Sequence, residues 1–171
     1  MNSSEPRIET ERLLLRRMRL EDADALHAIF RDPETMRYWS TLPHVSLAQT
    51  LEFMMRTIKA CDAAEADDFA LVFQGRVIGK AGVWQNDEVG YIIAREAWGM
   101  GLASEAMRAV IARAFAQGRP RLHADVDPRN QRSITLLKKL GFRETGTAKN
   151  TYQIGGEWSD SVYLELLNSP G

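Results

Sequence analysis

The chain has 171 residues, with 22 Lys and Arg against 23 Asp and Glu and a single cysteine. That length suits one ordinary domain with its own buried core and no need of disulfides or a structural metal, so a single domain over residues 1–171 is expected. Near cancellation of charge leaves no global field to recruit nucleic acid or an anionic membrane, so any partner must be recognised locally.

From the N-terminus, MNSSEPRIETER holds no apolar segment of the signal-peptide type, and no run of about 18 apolar residues occurs anywhere, so neither secretion nor membrane spanning is expected. Residues 13–18, Leu13-Leu14-Leu15-Arg16-Arg17-Met18, predict a first strand. Glu21-Asp22-Ala23-Asp24 then starts a helix with Ala25, Leu26, Ile29 and Phe30 on its apolar stripe, closed by Asp32-Pro33. Ser46 is an N-cap candidate for a second helix, in which Leu47, Leu51, Met54, Met55 and Ile58 recur at helical spacing to about Ala60. Cys61 has no second cysteine for a disulfide or metal pair, which fits a small apolar filler in a reducing, cytoplasmic compartment. Residues 62–68, rich in Asp, Glu and Ala, read as a loose connection.

The period then changes to two. Residues 69–73, a Gln74-Gly75 turn, residues 77–84, an Asn86-Asp87 turn and residues 89–93 predict an antiparallel meander. A long helix over about 102–117 ends at Gly118, a strand follows over 121–126, and a helix over about 130–140 ends at Gly141. Strands around 142–154 and 158–166 turn at Gly155-Gly156. Only the strands at 89–93 and 121–126 are joined by a helical crossover. The expected fold is therefore α+β: a mostly antiparallel twisted sheet with one parallel strand pair, flanked by helices.

The segment Arg95-Glu96-Ala97-Trp98-Gly99-Met100-Gly101-Leu102-Ala103-Ser104-Glu105 joins a strand to a long helix, with small residues at 99, 101 and 103. A helix start offers unpaired N–H groups and the positive end of its dipole. A turn of little side-chain bulk there suits a phosphate or pyrophosphate, with the Ser104 hydroxyl as a further donor. The same residues also fit a plain flexible turn. No Gly-Lys-Ser/Thr ending follows, which excludes a P-loop. The dinucleotide fingerprint G-x-G-x-x-G is matched by Gly99, Gly101 and then Ser104, with Asp125 near the distance of a ribose-binding acid; it would make the chain an NAD-binding oxidoreductase. Against it, the glycines stand well beyond the strand end, the unit follows an antiparallel meander, and a doubly wound fold needs several crossovers.

The stretch Trp98-Gly99-Met100-Gly101-Leu102-Ala103 resembles the acyl-CoA pyrophosphate loop of the GNAT superfamily of N-acetyltransferases, whose pattern is Arg or Gln, two residues, Gly, one residue, Gly or Ala. Gly101 and Ala103 match it. Trp98 stands where Arg or Gln is usual, and a tryptophan followed by Gly-x-Gly and Ala-x-Glu-Ala is similar to the branch containing the RimJ and RimL ribosomal-protein acetyltransferases. Asn130-Gln131-Arg132-Ser133, with Leu136, Leu137, Leu140, Gly141 and Phe142, resembles the family's second CoA-contacting helix, and Thr10-Glu11-Arg12-Leu13-Leu14-Leu15-Arg16 the opening of this branch. The resemblance implies a GNAT fold and acetyl-CoA as co-substrate. It implies CoA contacts from Trp98, Gly99, Met100, Gly101, Leu102, Ala103, Ser104, Asn130 and Ser133. It also implies a pair of splayed strands whose backbone near Ile92, Ile93 and Ala94 holds the pantetheine arm and the carbonyl.

Acetyl transfer from a thioester to an amine needs a deprotonated amine, a polarised carbonyl and a proton for the departing thiolate; no metal is needed. There is no G-x-S-x-G elbow, and Cys61 lies away from the glycine loop, so direct attack is expected. Many relatives carry a tyrosine four positions after the residue that is here Ser133; that place is Leu137. Ser133 is then the nearest hydroxyl, on the same helix face as Asn130, and fits either a donor to sulfur or a first-turn surface serine. Asn130 fits an N-cap, a pantetheine contact, or both. Glu88 opens a strand beside the expected cleft and is the candidate general base, although an acid after an Asn-Asp turn is ordinary. Glu105 is explained by the helix dipole alone. His27 and His44 read as solvated, and His123 alternates with Arg121 and Asp125, which suits strand-face salt bridging better than a His123–Asp125 metal site. Tyr38, Trp39, Trp84, Tyr152 and Trp158 are left to line an acceptor pocket or pack the core. Without a committed base, a peptide or protein N-terminal α-amine, or a small amine of depressed pKa, is favoured over a lysine. The missing tyrosine leaves a non-catalytic acyl-CoA-binding domain as the alternative, and the association state as monomer or homodimer.

Overall fold

The computed structural model describes residues 5–169. In chain order these form β1 (Arg7–Glu9), β2 (Leu13–Arg16), α1 (Ala23–Phe30), α2 (Leu47–Asp62), β3 (Ala66–Phe73), β4 (Arg76–Trp84), β5 (Val89–Ile93), α3 (Leu102–Ala116), β6 (Arg121–Val126), α4 (Gln131–Lys139), β7 (Arg143–Ile154) and β8 (Glu157–Leu167). Single 3-10 turns at Leu20–Asp22 and Arg95–Ala97 lead into α1 and the glycine-rich turn. None of the described helices is long and apolar enough to cross a membrane.

The strands form two sheets, β1-β2-β3-β4-β5 and β6-β8-β7, each antiparallel throughout. The expected parallel pair of β5 and β6 is one isolated bridge, Glu88 to His123, where the His123 N–H donates to the Asp87 carbonyl at 3.0 Å. Beyond it the two strands pair no further, and β6 is held along its other edge by β8.

Both faces of the first sheet are covered. On one side α3 brings Met107 and Val110 against Leu15, Phe69 and Leu71, and this core continues through Leu122, Leu137 and Leu164 to α4 and the second sheet. On the other, α1 and α2 pack Leu26, Phe30 and Met54 against Ile92 and Ala94. Local chemistry fixes the helix ends: the Ser46 hydroxyl accepts from the Gln49 N–H at 3.2 Å, and the Asn130 carboxamide accepts from the Ser133 N–H at the same distance.

Three features depart from the sequence expectation. Strand β1 is only three residues long, too short for any periodicity, and is held by pairing Ile8 opposite Leu15. Helix α1 ends at Phe30, ahead of Asp32-Pro33, with the Arg31 N–H closing onto the His27 carbonyl. Residues 66–68 are strand and not a loose connection: Asp67 is taken by Arg17 and Arg113, and Asp68 by Lys80, so their charges enter the sheet already paired.

Candidate active site

Where β5 and β6 part, a cleft of about 1930 Å³ opens, lined by β5, the N-terminal ends of α3 and α4, β6, β7 and the α2 side of the first sheet. The hydrogen-bond phase of β5 decides which groups face it. Ala94 donates to Ile78 and the Glu88 carbonyl accepts from Trp84, so antiparallel alternation turns the backbone groups of Glu88, Gly90, Ile92 and Ala94 toward β4. Those of Val89, Tyr91 and Ile93 face the opening. Of the expected trio Ile92, Ile93 and Ala94, only Ile93 therefore turns its backbone to the cleft, and Ala94 does not line it. The Ile93 carbonyl is itself occupied, accepting from the Trp98 indole N–H at 2.8 Å.

The glycine-rich turn delivers the N-terminus of α3 to the cleft. Gly99 and Gly101 have φ of 75° and 77°, left-handed values that glycine takes without strain, and Gly101 is the N-cap. Trp98, Gly99, Gly101, Leu102, Ala103 and Ser104 line the cleft. The first helical bond runs from Glu105 N–H to the Gly101 carbonyl, so the N–H groups of Leu102, Ala103 and Ser104 have no acceptor within the helix. Met100 is a correction: it does not line the cleft, its side chain is exposed, and its carbonyl accepts from Arg12 at 2.8 Å. Arg12 also donates through Nε to Glu105 at 2.7 Å, while the Arg12 N–H and the Thr10 hydroxyl donate to the other Glu105 oxygen. Burial would raise the Glu105 carboxyl, but these donors outweigh it and hold it below the usual carboxylate range. Glu105 thus does more than complement the dipole: it pins the N-terminal segment to the turn. Arg132 of α4 lies over the Trp98 ring at 4.3 Å, adding a cation on the far side of the same turn.

Ser133 lies in the first turn of α4 beside its N-cap Asn130, and both line the cleft. Its hydroxyl is 2.7 Å from the Tyr91 hydroxyl on β5. Burial raises the Tyr91 phenol above its ordinary pKa, and the bond to Ser133 only partly offsets this. Glu88 is half-buried on the cleft wall and accepts from the Asn86 amide at 3.0 Å.

At the opposite end, Asp68 faces Gly82 across the β3–β4 pair, where a Cβ on residue 82 would stand 2.5 Å from the Asp68 Cα. Glycine lets the carboxylate lie over β4. There it accepts from Lys80 and, at 3.2 Å, from the Trp84 indole, while the Lys80 ammonium sits 5.6 Å from the Trp39 ring and 5.7 Å from Phe53. Tyr38, Trp39, Trp84 and Tyr152 line this end; Trp158 does not, and is exposed. His44 is buried and not solvated: it stacks on Phe30 at 4.9 Å and shares the Thr50 hydroxyl with His27. Burial, then the nearby His27, pushes its pKa down. On β6, Arg121 pairs with Glu165 of β8 at 3.2 Å, a strand-face salt bridge.

Residues 12–143 match the acetyltransferase (GNAT) domain family. The chain belongs to that family. It is 33% identical over 167 residues to the uncharacterized N-acetyltransferase p20 of Bacillus licheniformis, covering 92% of this chain and 94% of that one. Over 85 residues, 48% of this chain and 42% of the relative, it is 39% identical to the ribosomal protein uS5-alanine N-acetyltransferase of Escherichia coli. Its fold superposes with a TM-score of 0.86 and 18% identity on RimL, a ribosomal L7/L12 α-N-protein acetyltransferase solved with coenzyme A, covering 95% and 98% of the two chains. This GNAT chain is an N-acetyltransferase, and its antiparallel first sheet sets the dinucleotide reading aside.

Sequence reasoning missed three parts of this GNAT site. Tyr91 carried a signal, since in a strand of alternating phase it shares a side with Val89 and Ile93. The Asp68–Lys80 pair was hidden by the polar composition around it. Arg12 was visible only within the resemblance, with no indication that it reaches Glu105 and Met100, 93 and 88 residues on.

Proposed function

We propose that this chain, as one domain working in the cytoplasm, binds acetyl-CoA in the β5–β6 cleft and passes its acetyl group directly to a primary amine, with a protein or peptide N-terminal α-amine as the favoured acceptor. The observation that carries this is the start of α3, where two left-handed glycines and the N–H groups of Leu102, Ala103 and Ser104 meet the cleft and suit a pyrophosphate. The pantetheine arm would run along the open edge of β5 at Tyr91 and Ile93, past Asn130. The amine nitrogen attacks the thioester carbon. The C–S bond breaks with its electron pair on sulfur, and the nitrogen gives up its proton to Glu88 or to water. The Ser133 hydroxyl donates a hydrogen bond to the departing sulfur, which ends protonated as the CoA thiol.

The acceptor follows from proton affinity and from the relatives. An α-amine with a pKa of about 7.7 to 8.0 needs only about 1 kcal/mol for deprotonation at pH 7, against roughly 4.6 kcal/mol for a lysine at about 10.4. No base is committed to the deprotonation, so the first suits this site. The relative that acetylates a ribosomal-protein alanine supports the same choice.

Calorimetry with acetyl-CoA, followed by thiol release across an amine panel, tests the activity. Binding without release above the uncatalysed rate would make this a non-catalytic acyl-CoA-binding domain. Matched peptides with only a free α-amine or only a free lysine amine, read by mass spectrometry, test the acceptor. Exclusive lysine modification would overturn the preference.

A further inference from the structure

The 2.7 Å contact between the Tyr91 and Ser133 hydroxyls joins residues 42 apart in sequence, from two elements that meet at the cleft. Each hydroxyl has one proton, so the contact has a direction. If Ser133 donated to Tyr91, its proton would be spent and only the phenol proton would be left for sulfur. If Tyr91 donates, the serine oxygen is satisfied as an acceptor and its own proton is free to turn to the cleft. We infer that Tyr91 is a positioning residue whose phenol donates to Ser133 Oγ and so aims the serine hydroxyl at the thioester sulfur. The inference rests on the role proposed above for Ser133.

Acidity and burial support that direction, and the packing holds the pair in place. A phenol is a stronger acid than an alkyl hydroxyl and is the better donor of the two. Burial raises the Tyr91 pKa, so the phenol keeps its proton at neutral pH. The Ser133 backbone N–H is already engaged by Asn130, which fixes the first turn of α4. Tyr91 stands opposite Ala81, whose small side chain leaves the ring its place against the core, so both hydroxyls are held by regular elements and not by loops. No proton leaves Tyr91 at any stage. Sulfur gains charge as the C–S bond breaks, the aimed serine hydroxyl stabilises it, and sulfur then takes up a proton equivalent to the one the amine released.

The test needs no knowledge of the acceptor. CoA itself is bound to the wild type, Tyr91→Phe, Ser133→Ala and the double variant, and its thiolate is titrated by ultraviolet absorbance. Glu88, Asp125, Asp127 and Arg132 also line the cleft but are common to all four proteins, so their influence cancels in the comparison. Tyr91→Phe should lower the thiol's acid dissociation constant about fivefold in the Ser133 background, the worth of one neutral hydrogen bond, and leave it unchanged in the Ser133→Ala background. Ser133→Thr should restore both the value and its sensitivity to Tyr91→Phe. An equal effect of Tyr91→Phe in both backgrounds would make the phenol itself the group that meets sulfur, and no effect in either while Ser133→Ala still shifts the thiol would leave Ser133 acting alone; either result overturns the inference. A wild-type thiol in Ser133→Ala would remove the proposed role of Ser133, and this inference with it. Failure of CoA to bind the wild type would overturn the cleft reading itself.

Discussion

Asp68 and Lys80 have 0% and 3% of their side chains exposed, so at this point in the sheet two full charges are held out of water by each other, by the Trp84 indole and by the faces of Trp39 and Phe53. Breaking such a pair strands the other charge, which costs about 3–5 kcal/mol, whereas replacing both members with apolar groups of similar volume is near neutral. Lys80→Met should therefore lower the urea-derived unfolding free energy by about 3 kcal/mol or more, and adding Asp68→Leu should recover much of it. A loss below about 1 kcal/mol in the single variant would mean that the carboxylate finds water. The pair also shows why residues 62–68 misled: a window of Asp, Glu and Ala looks solvated, while the partners that bury Asp67 and Asp68 come from Arg17, Lys80 and Arg113. His44 was misjudged for the same reason, since its stacking partner Phe30 and its hydroxyl partner Thr50 belong to two different helices.

The helices α2, α3 and α4 were legible because their signals are local: apolar spacing, a serine or asparagine cap at the start of α2 and α4, and a glycine past the end of α3 and α4. The turn before α3 was legible for the same reason, while the parting of β5 and β6 was not, since no local pattern marks where pairing between strands distant in sequence stops. The turn makes a test at this scale possible. Gly101 has φ of 77°, so any side chain there is strained by about 1–2 kcal/mol, and the added Cβ meets only the end of Arg12 at 3.5 Å. Gly101→Asn and Gly101→Glu should both fold, with asparagine the less strained. Only glutamate places a negative charge where the unpaired N–H groups of α3 would meet phosphate. The expected outcome in calorimetry is acetyl-CoA affinity within about tenfold of wild type for Gly101→Asn and loss of more than about 100-fold for Gly101→Glu, each tenfold step being about 1.4 kcal/mol. Equal losses in the two would assign the effect to backbone strain and not to the ligand's charge.

Several of the side-chain ties that hold helices and turns to the first sheet are titratable, so the stability of the whole molecule should follow pH in a defined way. Asp67 binds Arg17 and Arg113 at 2.6 Å each and so holds α3 and the segment after β2 to β3, while Asp22 binds Arg16 through both oxygens at 2.8 Å. Burial pushes both carboxyls up, but the guanidinium partners outweigh it and leave both below the ordinary range. A carboxyl that holds its proton less tightly when folded stabilises fully above the unfolded pKa of about 3.9, and this is lost as pH falls below that value. His44 acts with the same sign at higher pH. Burial keeps it neutral when folded, whereas the unfolded imidazole takes a proton below about 6.5, so acidification through that point favours unfolding. Each group contributes at most about 1.4 kcal/mol per pH unit. The unfolding free energy should thus be level between pH 8 and 7, decline gently below about 6.5, and fall more steeply below about 4. His44→Gln should remove the gentle decline and leave the steep one. Asp67→Asn should lower stability at pH 7 and make the fall below pH 4 shallower, with Asp22 still titrating. Urea titrations followed by tryptophan fluorescence at each pH read all three curves, and a stability that rises on acidification from pH 7 to 5 in the wild type but not in His44→Gln would show that His44 is charged in the folded protein.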